Sequence, residues 1–455
     1  MNRFDHIVLG GNIASLVTAR ELVRKGASVA LFSPPGMVGG HFSSHSALGF
    51  EFDLGMTLLE LDSYHNQETD LSGYDPSVLG SAGKFTAFVE KVLNEYFEFR
   101  EVVQIQVATD NGLIDDYYIS NELKGIPEVF SDAERKLILD ELARCAASEA
   151  SHPRGKASAA VFDGLNYEQA SIENHGELIH RTLIEPLVAR ATNLQSDRLH
   201  ARNHRLFWAP LFYPETLLGA FNGEPTIRAT RFHHPVACGV GSLSRQLMAE
   251  LEASGCIVVP ELSTLQAKGA GWVVNDSFRS DNLSSSLPQQ LLAQLAGIEA
   301  TPLQKSSYLM VFLKLQGKVD CEVIFNASGA GLFFRLVNQS RLRGDESTTF
   351  LTVEYNLDLV CRNNEDFVRD KQYLAEIKAF IEHLSLGECV VLDSSIVELK
   401  NKIVFPDLGN VRLNAGNTEL FEGLPIMLMG PSLGMNGGSL NDQILQALSH
   451  VEMSG

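Results

Sequence analysis

Residues 6–32 leave little choice of local fold. His6-Ile7-Val8-Leu9 is a short apolar strand and Gly10-Gly11 a tight turn. Ala14 to Lys25 then reads as an amphipathic helix with Leu16, Val17, Ala19, Leu22 and Val23 on one face. Gly26 stops it, and Ser28-Val29-Ala30-Leu31-Phe32 is a second apolar strand. Strand, helix and strand in so few residues make a right-handed crossover unit, the start of a Rossmann sheet. Its turn has a use in chemistry. A helix N-terminus offers unpaired N–H groups and partial positive charge, and glycines let a pyrophosphate approach them.

Against the dinucleotide pattern G-x-G-x-x-G, the register is Gly10, Asn12 and Ser15, so one glycine of three is kept. Asn12 tolerates positive φ better than most residues, and Ser15 is small enough for close packing of helix on sheet. The acidic residue expected at the end of the second strand is Ser33, whose hydroxyl can still bind a ribose but without charge assistance. Backbone contacts from Gly10, Gly11, Asn12, Ile13, Ala14 and Ser15 would complete such a site.

Further along stand Gly39-Gly40-His41 and Gly49-Phe50-Glu51-Phe52-Asp53-Leu54-Gly55. Together with the first turn, these segments resemble the signatures of the flavoprotein superfamily of flavin amine oxidases, protoporphyrinogen oxidase, carotenoid desaturases and UDP-galactopyranose mutase. The resemblance extends to His175–Leu187, similar to a helix of the oxidase and mutase branches, and to Pro235 through Leu243, similar to a Pro-x-Gly-Gly-x-x-x-Leu segment. Near the end, Val404–Leu408 resembles a Tyr-Pro segment. Leu424 to Gly430 followed by Gly434–Ile444 resembles the final strand and helix. What the resemblance implies is FAD as cofactor, with Gly39 and Gly40 against its pyrophosphate and Asp53, Leu54, Gly55 and Met56 beside its isoalloxazine. It also implies that Gly430, Met435, Asn436, Gly437 and Leu440 bring the last helix to the flavin. The family's polar partner of that final glycine is Pro431 here.

The chain has 455 residues, enough for two or three domains. Its formal charge of −20 argues against nucleic acid and anionic membranes, which call for basic patches. Six scattered cysteines (145, 238, 256, 321, 361 and 389) suggest neither metal ligands nor a disulfide framework, so reduced thiols and a cytoplasmic location are expected. No secretion signal and no membrane span is expected.

The expected fold class is α/β, a Rossmann-type FAD-binding domain with an interleaved α+β substrate domain. The expected division assigns 1–83, 230–345 and 402–455 to the FAD-binding domain, and 84–229 and 346–401 to a partly helical substrate domain. Hairpin strands are expected at Gln104–Thr109 and Gly112–Ile119 around Asp110-Asn111-Gly112, and helices over Ser131–Ala150, Tyr167–Thr192 and Asp366–Leu384. Strands are expected at Cys256–Pro260, Gly269–Val274, Tyr308–Leu315, Phe350–Cys361 and Cys389–Leu399. Ser277–Ser286 reads as a polar loop, and Cys321–Gly329 as a strand closing the nucleotide domain.

For chemistry, His41 is the best-placed titratable group, though an imidazole there could equally hold a loop carbonyl. Lys402, like Lys314, lies on or beside a strand and is a candidate for the lysine that amine oxidases place near flavin. Arg228, Arg231, His233 and His234 more readily solvate a strand entrance than bind substrate. Three readings follow. The leading one is an FAD-dependent oxidoreductase, amine oxidase-like, oxidising a small metabolite by hydride transfer. Another is a redox-neutral mutase-like enzyme acting on a sugar nucleotide, favoured if Arg181, Arg190, Arg228 and Arg231 cluster at the flavin. The third is a flavin-free binding or scaffold protein. A small-molecule substrate and a possible homodimer complete the expectations, with no metal.

Overall fold

The computed structural model describes residues 2–34, 36, 38–55, 58–63, 68–75, 81–148, 162, 164–225, 230–269, 271–345 and 347–453. A five-stranded sheet is built from β1 (His6–Leu9), β2 (Val29–Phe32), β3 (Ile257–Val259), β4 (Leu283–Ser285) and β5 (Ile426–Leu428), in the order β3-β2-β1-β4-β5. Every pairing in it is parallel. Parallel neighbours require crossovers, which explains why segments hundreds of residues apart meet here. Helices α1 (Ile13–Arg24) and α2 (Leu440–Met453) pack together on it. Leu16, Val17, Leu243, Leu247, Ile444 and Leu445 are buried in their common core.

The inner strand β4, between β1 and β5, was expected to be loop. Leu283-Ser284-Ser285 has too little apolar pattern to announce a strand, and its place depends on partners distant in sequence. Its hydroxyls are satisfied inside the protein: Ser284 Oγ lies 2.7 Å from Nε2 of both His6 and His450. Ser285 Oγ lies 3.1 Å from Ser432 Oγ.

A seven-stranded sheet runs in the order 389–403, 306–317, 349–356, 335–338, 323–326, 105–109, 112–115. Val323–Asn326, expected to close the nucleotide domain, instead pairs parallel with Ile105–Thr109 here. Two expected strands are also shorter. After Asp115, the Asp116 carboxylate accepts the N–H groups of Tyr118, Ile119 and Ser120 and ends the strand. The strand Thr349–Asn356 ends where the Asn356 side chain accepts the Leu359 N–H and caps a helix, Leu357–Asn363. The helical run after Tyr167 breaks at Gly176 and contains a π turn, His180–Ile184. A three-stranded sheet of 59–63, 230–235 and 99–101 adjoins α2. Among the described residues, no helix is long and apolar enough to cross a membrane.

Candidate functional site

The turn between β1 and α1 is shaped by two side chains that replace glycines. Asn12 does not use left-handed backbone, as its position in the pattern suggested; its φ is −80° and it is the N-cap of α1. Its side-chain oxygen accepts the Ser15 N–H at 3.3 Å, and its amide donates to the Ser286 carbonyl at 2.9 Å. Ser15 is fully buried and donates to the Leu9 carbonyl at 3.1 Å. Gly10 keeps a strict requirement. Its φ is +111°, and a Cβ there would stand 2.4 Å from Ser286 Oγ.

What this turn leaves open decides whether a dinucleotide fits. The Ala14 N–H lies 3.4 Å from Gln443 Oε1 of α2. Among the described residues, the N–H groups of Asn12 and Ile13 donate to no protein acceptor. Buried helix starts ordinarily satisfy such donors through caps, water or a ligand. At the tip of β2, Ser33 is 5% exposed, and its hydroxyl has no partner. Free donors at the helix start and an orphan hydroxyl at the next strand end match a pyrophosphate and a ribose. These residues fit a dinucleotide.

Gly39 and Gly40 fold over this turn with φ of 85° and 56°. The Gly39 N–H donates to the Gly11 carbonyl at 2.8 Å, and a Cβ on Gly40 would lie 3.3 Å from Asn12 Cβ. His41 follows in a short 3-10 turn and is solvent-accessible. Desolvation nonetheless pushes its pKa down, and the Lys402 ammonium pushes it further. The Lys402 charge thus reaches His41, whereas Lys314 lies over the Phe350 ring, 5.9 Å from its centroid.

Asp53 presents no carboxylate oxygen to a ligand. It is fully buried and accepts the N–H groups of Val240 and Gly241, each at 3.0 Å, and the Ser44 hydroxyl at 3.2 Å. Arg343 stands 3.4 Å away and His234 3.5 Å away. Burial pushes the Asp53 pKa up, but the His234 hydrogen bond, the Arg343 charge and the Gly241 amide outweigh it and leave the carboxyl below its ordinary range. This group ties the Asp-x-Gly loop to the segment after Pro235. Leu54 is held by its N–H on the Ser43 carbonyl at 3.1 Å, and Gly55 has φ 74°. Met56 and the side chain of Asn436 lie outside the described residues.

At the other end, Gly430 has φ 49° and donates its N–H to Gln446 Oε1 at 2.7 Å. Gly430 to Gly437 forms a 3-10 segment in which the Met435 N–H donates to Asn414 Oδ1 at 3.2 Å. Leu440, at the start of α2, is buried beside α1.

Four residues at this end were not anticipated. Ser439 caps α2: its side-chain oxygen accepts the Asp442 N–H at 3.0 Å, and its hydroxyl donates to Asp442 Oδ2 at 2.5 Å. Ser-x-x-Asp is a legible capping signature. The Tyr74 hydroxyl lies 3.4 Å from Asp442 Oδ1, and Asn441 Nδ2 donates to the Glu60 carbonyl at 2.7 Å. Desolvation pushes the Glu60 carboxyl above its ordinary range, opposed by Arg205 and reinforced by Asp442. Asp442 is raised chiefly by desolvation too, against hydrogen bonds from Ser439 and Tyr74 and the Arg205 charge. Arg205 itself stacks over Trp208 at 5.6 Å.

The arginine cluster does not assemble from the residues first considered. Arg181 is exposed and pairs with Glu177. Arg190 donates to the carbonyls of Pro186, Ser328 and Gly331. Arg228 lies outside the described residues, and Arg231 is exposed on its strand. Both acids feel the Arg205 charge instead.

Residues 8–71 match a family model described as an NAD(P)-binding Rossmann-like domain. No curated protein matches the sequence. Among solved structures, reduced UDP-galactopyranose mutase superposes with a TM-score of 0.70 at 14% identity, over 100% of this chain and 93% of its own. Putrescine oxidase bound to putrescine gives 0.61 at 14% identity, covering 99% of both chains. An oxidoreductase from Methanosarcina mazei gives 0.57 at 14% identity, covering 99% of this chain and 100% of its own.

Proposed function

We propose that this chain, which shares its fold with UDP-galactopyranose mutase and putrescine oxidase, is an FAD-dependent oxidoreductase that oxidises a small metabolite at a C–N or related C–C bond. The observation that carries the reading is the open start of α1, with free N–H groups on Asn12 and Ile13 and the orphan Ser33 hydroxyl at the tip of β2. Those N–H groups and the α1 dipole would hold the pyrophosphate, Ser33 would take a ribose hydroxyl, and Gly39-Gly40 would let the backbone close over both. When bound, FAD supplies hydride acceptance. His41, kept neutral near pH 7 by desolvation and by Lys402, can accept a substrate proton. The redox-neutral reading asks for several arginines, and Arg181 and Arg190 are engaged elsewhere.

The test is an absorbance spectrum of the purified protein, mass spectrometry of what heat releases, and peroxide production over a panel of small amines. Flavin bands near one per chain, with FAD released and at least one amine oxidised, support the reading. A colourless protein that takes up no added FAD would turn attention to a flavin-free binding role. FAD without turnover of any amine would favour the mutase-like alternative.

A further inference from the structure

The carboxyl ends of β1, β4 and β5 are stitched into one rim. The Asn12 amide donates to the Ser286 carbonyl after β4, and Ser432, after β5, donates its hydroxyl to the Leu287 carbonyl at 2.7 Å. Gly430 closes the circle: a Cβ on it would lie 3.2 Å from Asn12 Nδ2 and 3.6 Å from Ala14 Cβ. The segment Gly430–Gly437 therefore borders the open start of α1, and in sheets of this kind ligands lie across the carboxyl ends of the strands.

This segment is not one continuous helical piece. It kinks at Gly434, where φ is 66° and ψ −117°, a conformation that side chains disfavour. A kink interrupts the ladder of backbone bonds and leaves the next N–H in need of an acceptor. That N–H belongs to Met435, and Asn414 Oδ1 accepts it at 3.2 Å. The same oxygen occupies the space that a Cβ on residue 434 would need. Glycine and asparagine thus fix each other.

Asn414 is itself on a fixed support. It lies on the helix Leu408–Glu419, where Asn410, Asn414 and Asn417 share one face and are 2%, 7% and 3% exposed. Asn410 Oδ1 accepts the Gln304 N–H at 2.8 Å, and its amide donates to the Gln304 carbonyl at 3.0 Å. Asn417 holds Thr301 in the same two-handed way, at 2.9 and 2.8 Å. Those two grips bind the passage from β4 to strand 306–317 against the passage from strand 389–403 to β5. The Asn414 side-chain oxygen, between them, goes to the rim instead.

Resting on the FAD reading above, we propose that Asn414 is a positioning residue for the cofactor: it holds residues 434–437 in their bound shape before FAD arrives. A rim ordered in advance spares the cofactor the conformational entropy of ordering it. Without the acceptor, the Met435 N–H loses its partner and FAD must order the kink as it binds.

The experiment compares the unmodified full-length chain with Asn414→Leu, Asn414→Asp and Asn417→Leu, by hydrogen exchange at the Met435 amide without FAD and by calorimetric titration of FAD. Leucine removes the acceptor at similar size, and aspartate keeps it. Asn414→Leu is expected to speed Met435 exchange and to weaken FAD about fivefold, the effect of one hydrogen bond. Asn414→Asp should keep both at the unmodified values. Asn417→Leu removes the same type of side chain from the Thr301 contact, so it should cost stability and leave Met435 exchange and FAD affinity unchanged. Unchanged FAD affinity in Asn414→Leu, or an equal loss in Asn417→Leu, would overturn the inference and leave the FAD reading standing. Should Asn414→Leu fail to fold, Asn414→Ser, whose hydroxyl is too short to reach, decides by the same two measurements. An unmodified chain that takes up no FAD would remove the FAD reading, and this inference with it.

Discussion

Replacing Asp53 by asparagine tests whether this residue holds the loop or serves a ligand. The carboxylate is fully buried and has five partners between 3.0 and 3.5 Å: two backbone amides, a hydroxyl, a guanidinium and an imidazole. Asparagine preserves the shape but loses the charge. Arg343, itself 7% exposed, is then left buried without its anion. Breaking a buried pair from one side costs about 3–5 kcal/mol. Urea unfolding followed by the fluorescence of Trp208 and Trp272 should show a loss of that size. Arg343→Met added to Asp53→Asn should recover part of it, because the stranded charge goes too, less about 0.5–1 kcal/mol for the cation–π contact with Phe50. The effect also has a sign in pH. A carboxyl held below its ordinary pKa contributes stability above about pH 4 and loses it as pH falls through the folded value, so wild type and variant should converge in acid. A loss under about 1 kcal/mol, or a double variant weaker than the sum of its parts, would refute the buried-pair account.

Other substitutions probe the site piece by piece. Gly10→Ala combines a left-handed backbone with a Cβ 2.4 Å from Ser286 Oγ and should cost at least about 2 kcal/mol by the same unfolding assay; a neutral result would mean the turn relaxes freely. Ser33→Asp should tighten FAD about fivefold to tenfold in calorimetric titration, by replacing a neutral hydrogen bond with a charge-assisted one; weaker binding would place the ribose elsewhere. Lys402→Gln should raise the His41 pKa toward its ordinary value, as read from imidazole proton shifts, and an unmoved titration would separate the two residues. His6 and His450 both have pKa values pushed down to about 4, chiefly by burial. The unfolded chain therefore binds more protons than the folded one, and stability should fall as pH drops from about 6.5 toward 4. His450→Phe should flatten that slope, and an unchanged slope would locate the acid sensitivity elsewhere.

The first crossover unit was legible because its information is local. Alternation from apolar strand to glycine turn to amphipathic helix needs no distant partner, and β1, α1 and β2 lie where those residues predict them within a position or two. Strand β4 is the opposite case. It lies inside the same sheet with two serines in three residues, and only its parallel pairing with β1 and β5 makes it a strand. Asn12 was recognised as special for a reason that does not apply, since a missing glycine was read as a demand for positive φ when the residue caps a helix.

The site divides along the same line. Motif residues could be named because glycines and caps leave local signatures, but Glu60, Asp442 and Arg205 come from a strand, a helix start and a 3-10 segment with no pattern in common. Their relation is electrostatic and exists only once β5 has delivered α2 beside the strand that carries Glu60. The Ser439 cap was visible in sequence as a device for starting a helix. That this helix starts on the side of the sheet away from Ser33 follows from the strand order β3-β2-β1-β4-β5, since α2 comes after β5. Hence a helix start that is legible locally comes within the field of Arg205 only through topology.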